Sequence, residues 1–148
     1  MSPPTFVDAN VPIYAAGRPH RLKEPSSQVL MLAAERPAAF VTDAEVLQEL
    51  LHRYLALRLW PQGREVFHRF ADLMRERVEP VQAADVEQAA RLADECPELG
   101  ARDLLHAAVM RRLGVRRLVS ADAGFDRLSG LERLDPASVE TWRDKLQE

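Results

Sequence analysis

The chain has 148 residues, a length that suits one domain spanning 1–148, and its 47% hydrophobic content is ample for one core. A formal net charge of -3 argues against binding nucleic acid through a large uniform basic face, and the lone Cys96 rules out an internal disulfide or a thiolate metal site. Lys23 and Lys145 are the two lysines, so nearly all positive charge is arginine, whose planar fork suits phosphate.

No apolar segment approaches the roughly 20 residues of a membrane span, and the N-terminus lacks a basic region followed by a long apolar stretch. A cytoplasmic protein is expected.

Short apolar runs alternate with longer helical patterns, which predicts an α/β domain with a mainly parallel sheet. In chain order, the strands are expected near Thr5 to Asp8, Ala39 to Thr42, Val78 to Val81, Arg117 to Ser120 and Glu132 to Leu134. A helix from Ser26 to Glu35 has Pro25 and Ser26 as start signals and Pro37 as its stop. Asp43 reads as the N-cap of a helix running through Tyr54, and Pro61 opens another through Met74. Ala84 to Glu95 is amphipathic; Pro97 and Gly100 then break the chain before a helix from Ala101 to Leu113, which Gly114 ends. Apolar residues wrap most of that last helix, so its opening Arg102 and Asp103 need partners.

Four acids stand where strands end or in apolar helical segments: Asp8, Glu49, Asp103 and Asp122. Asp8 and Asp122 follow strands, and in open α/β sheets ligand sites gather beyond the carboxyl ends of strands. Each also has an ordinary reading as a helix cap, and Asp103 as a partner of the helix dipole. Glu49 lies off the apolar stripe of its helix and reads equally as a solvated residue, with Glu45 one turn earlier on the same face. Brought together, such charges need an answer, since two of them about 4 Å apart repel by roughly 4 kcal/mol at an effective dielectric near 20. Protonation or bound cations supply it. Asn10 is placed to hold a carboxylate, whereas Asp126 either extends the acidic group or pairs with Arg127 or Arg133. His20, His52, His68 and His106 lack metal-ligand spacing and read as surface or packing residues, although His106, three after Asp103, has a minor claim to the same cleft.

Taken together, these segments resemble the PIN domain family, and within it the VapC-type toxins of bacterial toxin–antitoxin pairs. The resemblance rests on Phe6-Val7-Asp8-Ala9-Asn10-Val11, on Val46-Leu47-Gln48-Glu49-Leu50-Leu51, on Ala101-Arg102-Asp103-Leu104-Leu105-His106-Ala107-Ala108, and on Leu118 through Asp126. It implies a PIN-like three-layer fold, with a mainly parallel sheet of about five strands flanked by helices, and it selects Glu49 over Glu45. It further implies a metal-dependent endoribonuclease in which Asp8, Glu49, Asp103 and Asp122 hold Mg²⁺ or Mn²⁺, Asn10 and Ser120 orient that shell, and Asp126 is a further candidate for it. Hard oxygen donors suit those ions better than Zn²⁺. An RNA substrate, a small cognate antitoxin and a homodimer are the implied partners. Ala9 departs from the family pattern, where many relatives carry a hydroxyl residue, but removes no ligand.

Two other readings compete. A haloacid dehalogenase-type phosphatase also has an aspartate after its first strand, but it needs a second acid where this chain has Asn10, and a lysine that Lys23 and Lys145 are badly placed to provide. A non-catalytic module that binds RNA or protein would keep the fold without the cleavage.

Overall fold

The computed structural model describes residues 2–147. Five parallel strands form one sheet in the order β3-β2-β1-β4-β5: β1 Thr5–Val7, β2 Phe40–Asp43, β3 Val78–Glu79, β4 Arg117–Val119 and β5 Glu132–Leu134. All five lie where the apolar runs predicted them. The central strands are buried along their whole length, as expected of a parallel sheet covered on both faces. Phe6 sits between Val41 of β2 and Leu118 of β4 in register.

Helices α1 (Asn10–Ala16) and α2 (Lys23–Glu35) connect β1 to β2, and α3 (Ala44–Ala56) and α4 (Trp60–Leu73) connect β2 to β3. Then α5 (Ala83–Glu95) and α6 (Ala101–Leu113) carry the chain back across the sheet to β4, and the short α7 (Val139–Trp142) follows β5. Parallel crossovers are right-handed, so winding outward through α1 to α4 and back through α5 and α6 puts these two groups on opposite faces of the sheet. The direction of winding reverses beside β1. The crevice beyond the ends of β1 and β4 is therefore the topological switch point of the sheet.

Local chemistry explains most element boundaries. Asp43 accepts a hydrogen bond from the Val46 amide and caps α3, as its sequence position predicted. Gly114 ends α6 in the left-handed conformation, φ 71°, which a glycine adopts without strain. α2 starts at Lys23 rather than Ser26, because proline is tolerated in a first helical turn and Pro25 falls there instead of before it. α3 and α4 close tightly at Gly63, where a Cβ atom would meet the Tyr54 side chain at 2.1 Å. One apolar core runs from Phe6 to Trp142 and takes in Val29, Phe40, Leu50, Met110 and Phe125.

Candidate metal centre

The ends of β1, β2 and β4 each deliver a polar side chain to the same crevice. Asp8 follows β1 and is 4% exposed, yet its carboxylate does not cap α1, whose N-cap is Ala9. One oxygen accepts the Ala9 amide at 2.8 Å; the other accepts the Ser120 hydroxyl at 2.7 Å and the Asn10 amide at 3.2 Å. Asn10 also donates to the Ser120 hydroxyl at 3.0 Å and accepts from the Ala121 amide at 3.2 Å. This small lattice crosses from β1 to β4 and fixes one Asp8 oxygen while leaving its carboxylate within the crevice. Burial nonetheless raises the Asp8 pKa, the nearby His106 and the Ser120 hydroxyl opposing the rise.

Asp103 enters from the first turn of α6, and Asp122 from the loop after β4, where it accepts from the Gly124 amide at 2.9 Å. Asp103 is pushed up to about 7, first by burial and then by the charges of Asp8 and Asp122, with a hydrogen bond to Asp122 adding to the rise. Asp103 thus senses Asp8 and Asp122, and the charge of Glu49 in turn adds to the rise at Asp8, so the four predicted acids are linked through one another.

Glu49 arrives from α3, half-buried, with one oxygen 2.5 Å from Nε2 of His106. That histidine corrects the sequence reading. His106 is neither a surface residue nor simple packing: it is fully buried, its Nδ1 lies 2.8 Å from Asp43, and its Nε2 lies 4.0 Å from Asp8. Burial alone would lower its pKa, but the hydrogen bonds to Asp43 and Glu49 and the charges of Asp43 and Asp8 outweigh that and hold it well above the ordinary histidine value. With both ring nitrogens facing carboxylate oxygens, this shift favours the protonated ring, whose charge offsets part of the acid repulsion. Asp8, Glu49 and His106 each place a ligating atom within 4.8 Å of the others.

Sequence reasoning gave His106 only a minor claim to the cleft and saw in Asp43 a helix cap alone. Both signals were present: His106 lies one turn from Asp103 on the same helix face, and Asp43 ends the strand next to β1. Asp126 turns away from the acidic group and pairs with Arg133 at 3.0 and 3.2 Å. Arg133 also donates to the Ser120 carbonyl, so that pair steadies the β4 loop from outside. Glu45, at the rim, lies 3.5 Å from Arg102 and gives that arginine the partner its position required.

The donors are chiefly carboxylate oxygens, they repel one another, and one of them holds a proton near neutrality. Those features fit a divalent cation, which replaces the proton and relieves the repulsion.

Comparison with known proteins gives a consistent outcome. A family model described as PIN domain matches residues 5–131. The chain is 39% identical over 129 residues to Ribonuclease VapC13 of Mycobacterium tuberculosis, a match covering 87% of this chain and 98% of that protein. It is 43% identical over 120 residues to Ribonuclease VapC23 of the same species, covering 79% of this chain and 91% of that one. Among solved structures, VapBC2 from Rickettsia felis bound to a promoter DNA fragment aligns over 88% of this chain and 97% of its own, with a TM-score of 0.69 at 18% identity. FitAcB from Neisseria gonorrhoeae aligns over 89% and 97%, with a TM-score of 0.65.

Proposed function

The chain belongs to the PIN domain family, and from that premise we propose that it is a metal-dependent endoribonuclease, the toxin of a toxin–antitoxin pair. The observation that carries this reading is the convergence of Asp8, Asp103 and Asp122, close enough that Asp103 is held at about 7. Acids this close, with no arginine paired to them among the described residues, suit a cation-binding centre better than a structural one.

Asp8 and Asp103 are the central ligands, with Asp122 and Glu49 completing the set around Mg²⁺ or Mn²⁺. A bound divalent cation supplies Lewis-acid charge that eases deprotonation of an attacking water and offsets charge growing on the phosphate. The protein's own part is positional. Ser120 and Asn10 hold Asp8 in one orientation by donating to the same oxygen, so that its second oxygen stays directed by the Ala9 amide. Asp103, at the start of α6, takes or gives up a proton near pH 7, which makes its charge available when a cation displaces that proton. Arg102, next in the chain to Asp103, is 41% exposed and 3.5 Å from Glu45, which leaves its guanidinium available to an approaching RNA phosphate.

A cognate antitoxin and a second copy of the chain are the partners this reading expects. Met31, Leu55, Leu57 and Leu59 are exposed on and beside α2 and α3, and a groove of about 840 Å³ lies between α1, α2 and α4, lined by Leu30, Val66 and Phe70 among others. Among the described residues no helix is long and apolar enough to cross a membrane, and the cytoplasm, where RNA is met, is the expected location. Purified protein free of antitoxin should cut RNA in Mg²⁺ or Mn²⁺ and stop doing so in chelator. The reading fails if its cleavage does not exceed that of an Asp8→Asn, Asp103→Asn double variant.

A further inference from the structure

Two buried groups of the cleft, Asp43 and His106, lie outside the ligand set proposed above. They form a chain of contacts that starts at the helix backbone and ends at Glu49. Asp43 spends one oxygen on the Val46 amide at 2.9 Å and turns the other to Nδ1 of His106 at 2.8 Å. Nε2 of the same ring meets Glu49 at 2.5 Å. Asp43 ends β2 and caps α3, Glu49 lies in the middle of α3, and the ring between them comes from α6. The ring has no freedom of its own, being fully buried with the Phe6 ring centred 5.3 Å away.

We propose that His106 is a positioning residue, bracing Glu49 over the cleft from the Asp43 cap, and is not itself a ligand to the cation. The inference rests on the metal-nuclease reading and adds a role that the four acids do not contain. Both ring nitrogens already face carboxylate oxygens at hydrogen-bond distance, so neither presents a free lone pair toward Asp8. Mg²⁺ and Mn²⁺ also prefer oxygen to imidazole. Glu49, by contrast, needs a brace: its side chain is rich in rotamers, is 19% exposed, and reaches the cleft from a helix whose apolar stripe points elsewhere. Ordering it during folding spares that loss when the cation binds. Partners that orient a metal's ligands from behind are typically worth about 10–100-fold in metal affinity.

The two amide replacements of histidine separate the two contacts. Asparagine places its nitrogen near the Nδ1 position and glutamine near Nε2, so His106→Asn keeps Asp43 and frees Glu49, whereas His106→Gln keeps Glu49. Mn²⁺ binding to antitoxin-free protein is measured by calorimetry, with circular dichroism checking the fold, and pulsed electron paramagnetic resonance of Mn²⁺-loaded wild type looks for nitrogen-14 coupling. The brace predicts Mn²⁺ affinity weakened roughly 10–100-fold in His106→Asn, a smaller loss in His106→Gln, and no directly bonded nitrogen signal. A strong nitrogen-14 coupling that disappears in both variants overturns it in favour of ligation. Equal affinity in wild type and His106→Asn overturns it too. If His106→Asn does not fold, His106→Gln decides, since a loss as large as that of Asp8→Asn contradicts the brace. A wild type that binds no Mn²⁺ overturns the nuclease reading itself and this inference with it, an outcome distinct from binding that ignores His106.

Discussion

The two ends of α6 handle carboxylates in opposite ways. At the C-terminal end, Asp85 of α5 is 2% exposed and receives Arg112 in a two-pronged contact at 2.9 and 3.1 Å. Burial pushes the Asp85 pKa up, but hydrogen bonds from Arg112 and the Gln82 amide outweigh it and leave the pKa lowered. At the N-terminal end, Asp103 meets Asp8 and Asp122 and is raised to about 7. A carboxylate that serves the fold is given a guanidinium; those of the cleft are given one another, with His106 as an internal partial counterweight. Charge left only partly compensated at one end of a helix whose other end is compensated fits the cation site proposed above.

Substitutions at the two ends should therefore separate activity from stability. The largest effect expected is on cleavage: Asp8→Asn lowers the RNA cleavage rate about a thousandfold, since a catalytic cation is worth several kcal/mol and each 1.36 kcal/mol is tenfold. Its melting temperature should stay level or rise, because a carboxylate raised by burial is replaced by a neutral group. Asp85→Ala should do the reverse, costing about 1–3 kcal/mol in chemical denaturation by removing the acceptor shared by Arg112 and the Gln82 amide, with cleavage per folded molecule retained. Parallel melts and RNA cleavage assays on the two variants test the contrast, and it breaks if Asp85→Ala loses cleavage while keeping its stability.

Next in size are the pH effects, which have opposite signs at the two ends. Asp103 has a folded pKa above its ordinary value, so the proton competes with a cation, and Mn²⁺ affinity should fall about tenfold per pH unit below 7 and level off above it. In metal-free protein, the charged form of Asp103 destabilises the fold as pH rises from about 4 through 7. Asp103→Asn should therefore melt higher than wild type at pH 8, and the gain should shrink as pH falls toward 4. Asp85 has a lowered folded pKa, so its stabilisation is present above the ordinary aspartate value and is lost as pH falls through the folded one. Calorimetric Mn²⁺ titrations and melts from pH 4 to 8 would read both.

The smallest effect sharpens the assignment on α3. Glu49→Gln should weaken Mn²⁺ binding roughly tenfold more than Glu45→Gln, because Glu49 contacts the buried His106 whereas Glu45 is occupied by Arg102 at the rim. The reverse order would move the site one turn toward the start of α3.

Much of the fold could be read in advance because its signals are local. Gly100 and Gly114 bracket α6, Asp43 caps α3, and the apolar runs predicted every strand to within about two residues. α1 escaped because it is short, has no side-chain cap and carries Pro12 near its start. In the site, Asp8 and Asp122 were legible as acids leaving adjacent parallel strands. Glu49 was not, since its position off the apolar stripe fits solvent and cleft equally well, and a family resemblance rather than periodicity singled it out. His106 had only a minor claim in the sequence for a related reason: its partners Glu49 and Asp43 lie 57 and 63 residues away.

By itself the sequence determined an α/β chain of five strands, the caps and stops of its main helices, and two acids, Asp8 and Asp122, leaving the ends of strands. Those follow from short-range sterics, hydrogen bonding and the period of the apolar residues. Only the tertiary structure decided which charges face each other. Burial and proximity, which no local pattern encodes, turned Asp103 into a carboxyl that titrates near neutrality, sent Asp126 to Arg133, and brought a histidine from α6 into the centre of the acids.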